Sequence, residues 1–151
     1  MNLSETAQAD LAAASASLLA EVEEWEPHHW AVACEVHREA TDATHLAFHL
    51  ASRSRRVVRA IREQPGSQLD VSQVHVDPTP VPQMTGEVVA ALKDARDQAL
   101  RFVASLDDAE IERLRAAEID GEPNALMATC GLIGHWTFHF PAIQQIRGVG
   151  A

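Results

Sequence analysis

The sequence predicts an all-α fold, an antiparallel four-helix bundle, and three observations carry that expectation. Four long segments repeat apolar residues at alternating spacings of three and four, the period of a helix with one buried face. No stretch shows strong strand alternation. Ala is abundant, which suits helices that pack closely.

The first segment places Leu3, Ala7, Leu11, Ala14, Leu18, Val22 and Trp25 on one face of a helix running roughly from residue 3 to 25. Pro27 stops or bends the chain there. The stretch 28–41 tolerates helix but is poorly patterned. Thr41 or Asp42 can cap a second helix, because a short polar side chain accepts the open amides of a first turn. Leu46, His49, Leu50, Arg53, Val57 and Ile61 share a broad face of that helix, and Pro65-Gly66 ends it. Arg53, Arg55, Arg56, Arg59 and Arg62 crowd the same segment. They are expected as a solvated face pairing with acids of neighbouring helices rather than as an anion site.

Residues 64–84 hold Pro65, Pro78, Pro80 and Pro82, which excludes a regular helix. Leu69, Val71 and then Val74, Val76 suggest a short extended piece. A connection this long often covers a site. A third helix turns Val88, Leu92, Ala95, Ala99, Phe102 and Val103 inward. The run from Leu106 to Glu110 closes it and opens a short helical turn, and residues 116–124 read as loop through Gly121 and Pro123. A fourth helix is expected from about Asn124 to Ile146. It is apolar nearly all round and should be the most buried of the set. With no internal repeat, residues 1–151 read as one domain.

Composition narrows the function. At 151 residues and 46% apolar content, the chain can build one domain with a real core. Its 22 acids against 12 Lys plus Arg give a net charge of −10, which repels a polyphosphate backbone and argues against a nucleic-acid partner. The first residues lack the basic and apolar regions of a secretory signal, and no run of about 18 apolar residues could cross a membrane. Cys34 and Cys130 form no CxxC, which fits a reducing cytoplasm. Each reads as a buried, inert thiol, although Cys130 stands five residues before His135 and could line a pocket.

Eight histidines are many for such a chain. His135 and His139 are four apart on the fourth segment, so on a helix both imidazoles leave one face about a turn apart. That spacing lets two nitrogens reach one metal at about 2.0–2.1 Å. His45 and His49 repeat the spacing on the second segment, and either could close a three-His site. Three neutral donors leave a divalent ion its charge and one open position, where water becomes acidic enough to supply hydroxide. The plain alternative is four core histidines bonded to ordinary partners. His28 and His29, beside Pro27, read as solvated. His37 is a lesser candidate, and His75 in the long connection reads as exposed. The chain has no HExxH, no Gly-rich phosphate loop and no GxSxG. The Glu-x-x-His of a di-iron bundle appears once, at Glu26-Pro27-His28-His29, interrupted by proline.

These residues resemble the DinB/YfiT-like metalloenzymes, a superfamily of four-helix bundles. The run Asp42-Ala43-Thr44-His45-Leu46-Ala47-Phe48-His49-Leu50-Ala51 is similar to the family's second helix when Asp42 takes the capping place. His135 and His139 followed by Ile146-Arg147-Gly148 resemble the fourth, and Leu106 to Ile111 resembles the link between the third and fourth. The resemblance covers most of the chain. It implies a divalent metal, zinc or nickel, held by His49, His135 and His139. It also implies a homodimer acting on a small-molecule substrate with a low-molecular-weight thiol, the metal presenting that thiol as a thiolate nucleophile. Family members often carry Gly and Gln at the second and third places after the last histidine. Here Pro141 and Ala142 stand there, and Pro141 is expected to kink or end the helix just past His139.

The expected function is that of a cytoplasmic metal-dependent enzyme, of thiol S-transferase or hydrolase type. No general base stands out, with Glu35, Glu39 and Asp42 left open. The alternative is a non-catalytic bundle, serving as a dimeric interaction module or a metal-binding module.

Overall fold

In a computed structural model the chain is mostly helical, and residues 2–34, 42–74, 80–127 and 131–149 are described. Among them run α1 (Leu3–Glu23), α2 (Pro27–Trp30), α3 (Ala43–Glu63), α4 (Thr85–Ala104), α5 (Asp108–Ala116) and α6 (Gly134–Val149). The fold is not purely helical. Strands β1 (Gln68–Leu69), β2 (Glu118–Ile119) and β3 (Glu122–Pro123) form a small sheet in that order, β1 parallel and β3 antiparallel to β2. The segment expected as plain loop over 116–124 thus contains a hairpin. Its two turn residues, Asp120 and Gly121, both sit at positive φ, as a tight hairpin with native twist requires. A 3-10 turn at Val71–Gln73 follows β1, capped by the Asp70 side chain.

Caps set the helix starts. Asn2 and Glu5 form a reciprocal capping box on α1, and Asp107 with Glu110 does the same on α5, satisfying amides that have no intrahelical acceptor. Asp42 caps α3, accepting the amide of His45. Pro27 does not merely stop the first helix. It occupies the first turn of α2, where its missing N–H costs nothing, and Trp25 and Trp30 meet edge to face beneath the bend at 4.9 Å.

Each of the four long helices packs on two of the others: α4 lies against α1 and α3, and α6 against the same two. Leu11, Leu18, Leu46, Leu50, Leu92, Trp136 and Ile143 are fully buried between them. Each such side chain contributes roughly 1.5–3 kcal/mol by leaving water. Ala7, Ala43, Ala47, Ala51, Ala95 and Ala99 are also buried, as expected of alanines at close helix contacts. At one end, Ser4 donates its hydroxyl to the Val103 carbonyl at 2.9 Å. Arg147 grips both oxygens of Glu21 at 2.7 and 2.8 Å. That hydrogen-bonded carboxylate holds the guanidinium pKa above its ordinary value. Among the described residues, no helix is long and apolar enough to cross a membrane.

The last helix begins ten residues later than its apolar pattern suggests. Asn124 takes a positive φ and interrupts the helical path. The chain then folds back, with Leu132 and Ile133 donating their amides to the carbonyls of Ala125 and Leu126 at 2.9 and 2.8 Å. Gly131 makes that approach possible, since a Cβ there would stand 2.7 Å from the Asn124 carbonyl oxygen. Nor is α6 buried all round. His135, Trp136, His139, Ile143 and Ile146 face inward, whereas Phe138 is 57% exposed. Pro141 does not end the helix, which runs on to Val149. The residue is exposed, as is Thr137, whose carbonyl it leaves without an intrahelical donor, so water can serve there.

Among the described residues, the α3 arginines meet the expected acids in part, Arg53 pairing with an acid of the hairpin rather than of a neighbouring helix. Arg53 reaches Asp120 at 3.6 Å, and Arg62 lies over the Phe102 ring at 5.1 Å. The Nε atoms of Arg55 and Arg56 are shielded from solvent and meet no hydrogen-bond partner among the described residues.

Candidate metal centre

Two helices bring three imidazoles together. His49 comes from the second turn of α3, and His135 and His139 come from the first two turns of α6. Each offers a ring nitrogen, and these nitrogens lie within 4.8 Å of one another. Ring centres are 5.2 Å apart for His49 and His135, 5.4 Å for His49 and His139, and 4.7 Å for His135 and His139. The rings stand at 68°, 89° and 84° to each other. They are edge to face rather than stacked, an arrangement that rings aimed at a common point can adopt.

Local structure explains the convergence. The fold-back at Gly131 fixes where α6 starts, and the His135 amide bonds the Gly131 carbonyl at 3.2 Å. The i, i+4 spacing then puts His139 one turn further on the same face. Trp136, fully buried beside them, orients that face toward the core. His135 and His139 are 7% and 2% exposed and His49 is half-buried, although its Nε2 is shielded from solvent.

The donor set fits a divalent ion such as zinc. Imidazole nitrogens at about 2.0–2.1 Å on tetrahedral corners stand roughly 3.3 Å apart, within the spacing available here. Three neutral donors keep the double charge of the ion and leave a fourth corner for a small molecule.

His45 does not join the cluster. Asp42 Oδ1 accepts from its backbone amide at 2.9 Å and stands 2.7 Å from its Nδ1, holding the ring at the mouth of α3. Of the two spaced histidines on this helix, only His49 meets the pair on α6. His28 is exposed beside Glu26. His29 corrects the expectation of solvation: it is buried, and its Nδ1 accepts the Glu26 amide at 2.9 Å. The signal was available, since a residue three places after a helix cap can bond back to it. Cys34 is buried, as expected. Glu35, His37, Glu39, His75 and Cys130 lie outside the described residues. Asp42, left open as a base, is engaged as the α3 cap.

No family model, no curated protein and no solved structure matches this chain.

Proposed function

We propose that the protein is a metal-dependent enzyme in which His49, His135 and His139 hold one divalent ion, zinc or nickel. Its class would be thiol S-transferase or hydrolase, acting on a small molecule with a low-molecular-weight thiol. The observation that carries this reading is the convergence of three imidazoles, two of them almost fully buried, from separate helices. A shared ion would give all three rings a common partner at one point between the helices.

The DinB/YfiT-like resemblance supplies the rest of the reading, an antiparallel four-helix bundle and a homodimer. The Ser4–Val103 contact supports opposed directions for α1 and α4, since it joins the start of one to the end of the other, whereas Glu21–Arg147 joins the last turns of α1 and α6 and favours a shared direction for that pair. When bound, the ion supplies Lewis acidity to a water or thiol group. The chain itself does three things. His135 and His139 hold the inner side of the site away from bulk water. A substrate would approach past His49, the most exposed of the three rings. Asp42 and the Gly131 fold-back fix the helix starts that keep the ligands in register.

Metal analysis of untagged protein, followed by a screen of thiols with electrophilic substrates, tests the reading. About one equivalent of a divalent ion with thiol-dependent turnover supports it. A chain that takes up no ion overturns it.

A second reading, a non-catalytic dimeric or metal-binding module, draws on Phe138. This exposed side chain borders a groove of about 740 Å³ between α1 and α6, lined by Ala13, Ala14, Ser17, Gly134 and Thr137, which a second copy of the chain would cover. A metal-loaded dimer that Phe138→Ser dissociates, and that stays inactive across the thiol screen, would favour it.

A further inference from the structure

Five of the 12 cationic side chains fall between residues 53 and 62, in a protein of net charge −10. Two of the five have evident partners, Arg53 in Asp120 and Arg62 in the Phe102 ring. Arg56 does not. It is half-buried, and its Nε is shielded from solvent with no acceptor among the described residues. A shielded Nε–H without an acceptor is costly, and the positive charge of the group suits an anionic acceptor.

Helix geometry says where that anion would lie. Arg56 follows His49 by seven residues, about 20° short of two full turns and about 10 Å further along α3. Ser52, also half-buried, lies between them on the same side. Both side chains lean toward the N-terminus of the helix, and arginine, the longer of the two, can cover part of the gap. Arg55 shows the same shielded Nε but leaves the axis about 120° away from His49.

We propose that Arg56 binds the carboxylate end of a small molecule whose other end takes the fourth corner of an ion held by His49, His135 and His139. The inference rests on the metal reading above and names the substrate class for it, an organic carboxylate several bonds long. A carboxylate fits because its two oxygens match the planar donor fork of a guanidinium, which a neutral hydroxyl does not.

The test uses cobalt(II)-loaded protein titrated with 6-mercaptohexanoate and with 6-mercaptohexan-1-ol, followed by the absorption of the cobalt–thiolate pair. Both probes offer the same thiol and chain, and only one carries the carboxylate. The expected result is a preference for the acid on the order of tenfold. Arg56→Met should abolish that preference while cobalt loading stays intact, and Arg55→Met should keep it. Arg56→Lys, which retains charge and bulk, should weaken it and serves if Arg56→Met fails to fold. Equal affinity for the two probes overturns the inference, as does a preference that survives Arg56→Met or cobalt loading without response to either thiol. All three outcomes leave the metal site standing. Absence of cobalt uptake overturns the metal reading and this inference together.

Discussion

His135 and His139 stand edge to face one turn apart on the buried side of α6, their ring centres 4.7 Å apart and their planes at 84°. Such a pair alone is compatible with ordinary packing. The third ring changes its meaning, because His49 arrives from α3 at similar distances from both.

If the three share an ion, each is needed. His49→Ala, His135→Ala and His139→Ala should each reduce loading from about one equivalent toward zero, because two imidazoles hold a divalent ion far more weakly than three. His45→Ala should load normally, since that ring is held by Asp42 outside the cluster. Elemental analysis after gel filtration reads both outcomes. Full loading in His135→Ala would sink the assignment.

Gly131 offers a test of how the site is positioned. A methyl group there would meet the backbone carbonyls of Asn124 and Ala125 at 2.7 and 2.8 Å, and backbone cannot swing aside as a side chain can. Gly131→Ala should therefore destabilise the fold by about 1–3 kcal/mol, the usual range for overpacking. It should also weaken metal binding, because the His135 amide hangs on the Gly131 carbonyl. Thermal melts and a competitive metal titration measure the two effects. A variant with unchanged melting and affinity would show that the fold-back does not fix α6.

The histidine pairing was legible because spacing is a local property. Positions four apart share a helix face whatever the rest of the chain does. The choice between His45 and His49 was not legible, since both are one turn apart and both precede Leu-Ala; the packing of α6 on α3 decides it. The start of the last helix was not legible either, for a physical reason. Ala125, Leu126, Leu132 and Ile133 are buried in a fold-back just as they would be in a helix, so hydrophobicity alone cannot separate the two. The hairpin at Glu118–Pro123 did leave a signal, the Asp120-Gly121 pair that favours a two-residue turn, but its strands are too short for visible alternation.

Pro141 lies inside α6 at an exposed position, where it removes the amide that would bond the Thr137 carbonyl and crowds that carbonyl with its ring. Restoring an ordinary residue should help. Pro141→Ala is expected to stabilise the fold by about 1–3 kcal/mol, the helix-interior penalty of proline relative to alanine less whatever the helix has already relaxed. That corresponds to a rise of roughly 2–4 °C in Tm per kcal/mol for a chain of this length. Because the side chain points away from the ligand face, metal loading should not change. A lower Tm would mean that the proline shapes α6 rather than burdening it.

Asp42 separates the stability of α3 from the chemistry of its histidines. Its Oδ1 accepts the His45 amide at 2.9 Å and stands 2.7 Å from the His45 ring nitrogen, so one oxygen both starts the helix and holds the ring. Asp42→Ala removes both contacts and should cost about 1 kcal/mol, typical of a lost N-cap. Asp42→Asn keeps an acceptor oxygen for the amide and should recover most of that stability, since asparagine caps about as well as aspartate. Neither change touches His49, two turns inside α3 and packed against α6, so both variants should load metal like the parent chain. Denaturant melts of the metal-free variants measure the cap, and elemental analysis measures the site. Loss of metal in Asp42→Asn, with stability retained, would place the carboxylate within the metal centre and overturn its assignment as a cap alone.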